Sequence, residues 1–300
     1  MITMHRTQRR RLGMTLVEVM VAITILGLVT AALTTLVRSQ LRFADRQITS
    51  KDAREVSRSA INALATDVRM VDADSGVIAA TRDSFTVVAP YAEGVVCGSA
   101  AVGLGSVLAL LPYDSLTYAE GGYAGYAYVD TTTTGTLYRQ VYQYKFSAVS
   151  PVAIDSATAA TTPPCKTATD RVTVFHYGAV LVLPGIPAQS RYQAAMLVRR
   201  VTYSFKPSVS IVGSRGLFRR VLNGPHGDEE LVAPFDTSAK FMYYLNTGVK
   251  SASATGATLN LIRGVELQLN GISDRIVSGA TKPQTAPTTT AIFFKNRPLN

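Results

Sequence analysis

Gly13-Met14-Thr15-Leu16-Val17-Glu18 opens the stretch that decides the fold, because it leads straight into an apolar run reaching Val37. As a helix, Met14 to Val37 would span about 36 Å, more than the roughly 30 Å hydrocarbon core of a bilayer. His5, Arg6, Arg9, Arg10 and Arg11 precede the run with no acidic residue among them, and Arg38 and Arg42 close it. Basic charge ahead of an apolar segment holds that end in the cytoplasm. A secretory signal has a shorter apolar region followed by a small-x-small cleavage site, and no such site is clear here. Glu18 is the exception within the run. A charge near the centre of a membrane helix costs roughly 2.5 kcal/mol or more, so its presence calls for a reason.

Working outward, the basic leader, Gly13, Thr15-Leu16-Val17-Glu18 and the long apolar helix resemble the N-terminus of type IV prepilins and type II secretion pseudopilins. The resemblance implies that a prepilin peptidase cuts between Gly13 and Met14. Met14 would become an N-methylated N-terminus, the helix would be retained, and Glu18 would occupy the family's acidic position. Met14 stands where the family most often has phenylalanine, an apolar-for-apolar exchange.

Cutting after Gly13 would create an amine at Met14. In a bundle of such helices a neighbour's amine can pair with Glu18, which keeps both charges compensated and sets the axial register. The alternative is that Glu18 snorkels to the headgroup layer. Gly27, among Thr24, Thr30, Thr34 and Thr35, reads as a site of close helix packing, or as a weak point where the helix unwinds.

The chain has 300 residues and a net charge of +10. The leader's four arginines account for four of those charges, leaving +6. Arg38, Arg42, Arg46, Lys51, Arg54 and Arg58 cluster just past the apolar run, interleaved with Asp45, Asp52 and Glu55. This is either a solvated helix face or a contact with anionic headgroups or neighbouring subunits. No nucleic-acid motif accompanies the positive charge, so nucleic acid is not an expected partner. The two cysteines, Cys97 and Cys165, lie in loop-like sequence, where an oxidising compartment permits a disulfide; two free thiols are the alternative.

From Ala44 to Val71 there is no proline or glycine, and Ile61, Leu64, Ala65 and Val68 make one apolar face. One helix is therefore expected from about Met14 to about Met70, apolar all round in its first half, amphipathic in its second, and stopping at Ser75-Gly76. Strands are expected over residues 84–89, 107–111, 136–146, 171–183, 193–205, 217–222, 240–245, 265–269 and 291–295. Tyr138, Tyr142, Tyr144 and Phe146 would share a face of the third. Residues 150–164 and 281–290 read as mobile loops. The expected fold is α+β, a long helix packed on an antiparallel β head. It divides into a leader (1–13), a transmembrane and assembly helix (14–37), its amphipathic continuation (38–72) and a β-rich head (73–300).

A weaker, patchy resemblance runs through the head. Ala60 to Arg69, Val201 to Phe205, Gly216 to Arg220, Glu230 to Ala233, Phe241 to Tyr244 and Thr290 to Arg297 occur in the order seen in larger minor pilins and J-type pseudopilins. It implies a minor subunit, at or near a filament tip or in priming assembly, whose partners are the peptidase, other pilin or pseudopilin subunits and inner-membrane lipid. The inner membrane and then the pilus or pseudopilus would be its location. A membrane-anchored adhesin or ligand-binding head is one alternative, and a signal-anchored enzyme another.

Catalytic signals are thin. His176 reads as a strand residue. His226 with Asp228, Glu229 and Glu230, and Asp72 with Asp74, are weak metal candidates. No zinc spacing, EF-hand, nucleophile elbow or phosphate loop occurs. No enzyme, metal or cofactor is expected.

Overall fold

The computed structural model describes residues 15–72, 76–99, 106–130, 133–134, 137–138, 141–147, 151–154, 179–183, 194–277 and 279–294. Its first element, α1, runs from Leu16 to Arg69, 54 residues, or about 80 Å of helix. No glycine or proline interrupts the chain between Leu28 and Ser75, so nothing breaks the hydrogen-bond ladder. The helix ends at a Met70 cap whose N–H donates to the Asp67 and Val68 carbonyls. This agrees with the expected end at about Met70, ahead of the Ser75-Gly76 stop signal, and Val71 just beyond it is fully buried in the core.

The strands are β1 (Val77–Ala80), β2 (Ser84–Ser99), β3 (Ser106–Leu110), β4 (Tyr123–Asp130), β5 (Thr133–Thr134), β6 (Leu137–Tyr138), β7 (Val141–Phe146), β8 (Val152–Ile154), β9 (Ala179–Leu183), β10 (Ala194–Pro207), β11 (Arg215–Val221), β12 (Glu229–Phe235), β13 (Lys240–Leu245), β14 (Lys250–Ser251), β15 (Ile262–Ile272) and β16 (Thr285–Phe293). A short helix, α2 (Pro112–Ala119), starts with proline at its first position. Among the described residues fourteen strands join one antiparallel sheet, and β5 and β6 pair separately. Helix plus antiparallel sheet is the expected α+β class.

β10 organises the head. One edge pairs with β2 from Ala194–Val95 to Ser204–Ser84. Its other edge pairs with β4 up to Arg199–Tyr123, then changes partner and pairs with β11 from Val201–Val221 onward. Among the described residues the fork separates two large cores, with a small third cluster of Val88, Ala127 and Val198 between their strands. The larger lies under α1 and gathers Leu64, Val68, Phe85, Tyr203, Phe205, Phe235, Phe241 and Tyr243. The Phe205 and Phe241 rings are 4.9 Å apart and those of Phe85 and Tyr243 are 5.5 Å apart. The smaller has no contribution from α1 and gathers Leu108, Leu110, Tyr123, Tyr126, Tyr128, Leu181 and Leu197. The head is thus one sheet with two lobes, both threaded by β2 and β10.

Several expectations change. The run 136–146 is not one strand: Tyr138 ends β6, which pairs with β5, while Tyr144 and Phe146 sit on β7, which pairs with β4. The loop expected over 281–290 is largely β16, which pairs on one side with β15 and has no other sheet neighbour among the described residues, an edge position that tolerates Pro287. In the other expected loop, Val152–Ile154 forms β8, and residues 155–164 lie outside the described residues, as do 171–178 of the expected strand 171–183.

Candidate functional site: the N-terminal helix and its junction with the head

The long apolar surface of α1 begins at a defined cap. Thr15 is the N-cap of α1, with extended backbone, and its Oγ1 accepts from the Glu18 N–H at 3.3 Å. Glu18 Oε2 accepts in return from the Thr15 N–H at 3.2 Å and from its hydroxyl at 3.4 Å. This reciprocal capping box satisfies two of the donors that every helix start leaves open, and it puts a carboxylate at the positive end of the helix dipole. The other carboxylate oxygen takes no hydrogen bond among the described residues. Glu18 is therefore held in place by one oxygen and open to a cation at the other.

From Leu16 to Ile48 every residue is exposed in the isolated chain. The apolar part of this stretch is long enough to cross a membrane. Its hydroxyls suit lipid because they are satisfied within the helix. Thr24 donates to Val21 O at 2.8 Å, Thr30 to Leu26 O, Thr34 to Thr30 O and Thr35 to Ala32 O at 2.7 Å. Nothing within the chain crowds Gly27.

Above Ile48 the helix joins the head along Thr49, Ala53, Ser57, Ala60, Leu64 and Val68, all buried. The expected Leu64 and Val68 are at the centre of this face, and Ile61 and Ala65 pack half-buried at its side. Its lower half is made of small residues, which let α1 press against β15 at Gly271. Two polar contacts fix the fit. The Tyr203 hydroxyl donates to Asp67 Oδ2 at 2.6 Å, and Arg219 lies 3.6 Å from the same oxygen. Burial, then the Asp67 charge, pushes the Tyr203 phenol well above the ordinary tyrosine range. Lower down, Arg275 stands 4.0 Å from Asp52 at the exposed edge.

Gly13, Met14, Cys165, His176 and Asp74 lie outside the described residues, and Cys97 is placed by its backbone in β2. His226, Asp228, Glu229 and Glu230 do not converge. Lys206 donates to Asp228 at 2.5 Å, Glu230 accepts from the Val209 and Ser210 amides, and His226 and Glu229 are exposed. Among the described residues no cluster of three or more such side chains comes together as a metal site. The capping role of Thr15, the close approach at Gly271 and the Asp67–Tyr203 pair are additional to the expected site residues. Only Thr15 had a local signal, the Thr-x-x-Glu spacing.

Residues 8–34 match the family model described as the prokaryotic N-terminal methylation motif. The match covers the start of the chain and the first half of the exposed helix. No curated protein and no solved structure matches the chain.

Proposed function

We propose, from the premise that this chain is type IV prepilin-like at its N-terminus, that it is a structural subunit of a type IV pilus or type II secretion pseudopilus and acts as a minor component. The observation that carries this reading is the division of α1. Its upper half is locked into the head, while Leu16 to Ile48 has no partner among the described residues and carries near its start a carboxylate with one open oxygen. A prepilin peptidase in the inner membrane cuts after Gly13, and the new Met14 amine is methylated. The helix rests in lipid with the head on the periplasmic side until it enters a bundle of like helices. There, Glu18 Oε1 receives a neighbour's amine. The pair is charge-assisted and directional, so it sets register better than apolar packing does.

A head built, among the described residues, on two large cores and one sheet of fourteen strands is bulky for a thin shaft, which favours a tip or priming position. We assign it no reaction, metal or cofactor. A second reading, a ligand-binding head on the same anchor, is favoured by α2, where Tyr113 and Leu116 are 79% and 69% exposed beside Leu111.

The test is intact mass of the full chain extracted from membranes with and without a co-expressed prepilin peptidase. Loss of residues 1–13 with the peptidase, and their retention without it, is the expected result. A chain that keeps them in both cases overturns the proposal.

A further inference from the structure

The face of α1 that the head buries continues below the head. At 3.6 residues per turn, Arg42 and Arg46 lie within about 20° of Ala53 around the helix, and Arg38 within about 20° of Thr49. The three arginines share one open strip of the helix surface with Thr35, Ser39 and Phe43. Arg38 and Thr35 also close the next strip down, which runs past Thr34, Ala31 and Gly27. Read outward from the apolar end, one side of a single helix is uncharged, then basic, then packed into the head.

None of the three guanidiniums has a hydrogen-bond or ion-pair partner among the described residues. Asp45, the one carboxylate within a helical turn of them, pairs with none. Arg38 directly follows Val37, where the unbroken apolar run ends, and Arg42 and Arg46 stand about 6 Å and about 12 Å further along. The headgroup layer adds roughly 5–7 Å to each side of the hydrocarbon core. Arg38 and Arg42 therefore emerge at phosphate depth, and the long Arg46 side chain reaches back towards it.

We propose that Arg38, Arg42 and Arg46 form a binding strip for the phosphates of anionic phospholipids, in the leaflet on the same side of the membrane as the head. Two observations name the occupant: the strip is continuous with the membrane-spanning surface, and its charge is complementary to phosphate. Guanidinium is also the side chain that binds phosphate in two-pronged fashion. Because the strip is confined to the head-bearing side of α1, lipid bound there fixes the rotation of the helix about its axis. The direction the head faces is thereby set before assembly. The inference rests on Met14 to Val37 spanning the membrane and is independent of the filament.

The experiment is native mass spectrometry of the full chain released from nanodiscs holding equal amounts of phosphatidylglycerol and phosphatidylcholine. The chain is expected to retain phosphatidylglycerol in preference. The preference should fall about fivefold for each arginine changed to glutamine, the effect of about 1 kcal/mol per basic residue at a membrane surface. Arg38→Gln with Arg42→Gln and Arg46→Gln should abolish it, and lysine at the same three positions, which keeps the charge and loses the two-pronged contact, should restore only part of it. All three residues are exposed and outside the packed core, so circular dichroism should be unchanged. Equal retention of the two lipids by the native chain overturns the inference, as does a preference that survives the triple glutamine change. A triple variant that keeps its lipid preference but fails to join filaments identifies the strip as a subunit contact, which also overturns it. A native chain that does not enter the disc fails the anchor itself, a separable result.

Discussion

Gly271 on β15 lies directly beneath Ala53 on α1, so close that a Cβ on the glycine would fall well inside contact with the Ala53 carbonyl oxygen and 2.9 Å from Ser57 Oγ. The approach is backbone on backbone, which no rotamer change relieves. It is a close-packed point of the junction that joins the helix to the head.

Gly271→Ala should therefore push α1 off the sheet at its lowest buried turn. Overpacking of this kind costs about 1–3 kcal/mol. For a domain of this size that is a fall in Tm of several degrees, at about 2–4 °C per kcal/mol. Thermal unfolding followed by circular dichroism checks it. An unchanged Tm would mean that the helix is free to ride over β15.

Asp67 and Tyr203 tie the upper end of the same junction, and the two partners are not equivalent. Tyr203→Phe leaves Asp67 with Arg219 and should cost about 1 kcal/mol. Asp67→Ala leaves a buried hydroxyl and a guanidinium without their acceptor and should cost about 2–3 kcal/mol. Chemical denaturation of both variants and of the double variant measures the coupling. The phenol's raised pKa gives a second readout. Because the folded state holds its proton more tightly than the unfolded chain, this contribution is complete below the ordinary value of 10 and is lost as pH rises above it.

Much of this architecture was open to reading. α1 was legible because its apolar-all-round half gives way to a helical stripe with no breaker. β13 was legible from its alternation. β2 was cut short at Ala89 because Pro90 and Gly94 look like a break. Pro90 in fact falls between the stretch of β2 that pairs with β1 and the stretch that pairs with β3, where its missing N–H is not needed, and Gly94 lets the Ala109 carbonyl approach. β4, reading Tyr-Ala-Gly-Tyr-Ala-Tyr, was invisible because side chains on both its faces are buried and do not alternate. Asp67 and Tyr203 are 136 residues apart and Gly271 is one glycine among 22, so nothing local marks them.

Glu266 supplies an acid-range prediction. Its buried carboxylate accepts from the Tyr244 hydroxyl at 2.6 Å, Lys250 at 2.7 Å and Gln268 at 2.8 Å. Burial alone would raise its pKa. The Lys250, Tyr244 and Gln268 hydrogen bonds outweigh burial and hold the carboxyl down at about 2, against an ordinary 4.5. The folded state thus binds this proton less readily than the unfolded chain, so its contribution is complete above about 4.5 and is lost as pH falls towards about 2. Glu266→Gln should be less stable at pH 7 by about 1.5–3 kcal/mol, the range for hydrogen bonds to a charged group. It should also lose less stability than the native chain between those two pH values. Denaturation curves across the window separate the two effects.

Glu18 has two separable jobs, and the capping box shows how to divide them. Glutamine also completes a box of this kind, so Glu18→Gln keeps the helix start and removes only the charge. Thr15→Ala does the reverse: it keeps the carboxylate and removes the cap, at about 0.5–2 kcal/mol of local helix stability. If the open carboxylate oxygen receives a neighbour's amine, Glu18→Gln should be cut after Gly13 yet incorporate into filaments at least tenfold less well. Thr15→Ala should incorporate within a fewfold of the native chain. Immunoblotting of sheared filaments against the membrane fraction measures both. Equal losses for the two variants would assign Glu18 to helix capping alone. Normal incorporation of Glu18→Gln would remove charge pairing from the account of assembly, whatever happened to Thr15→Ala.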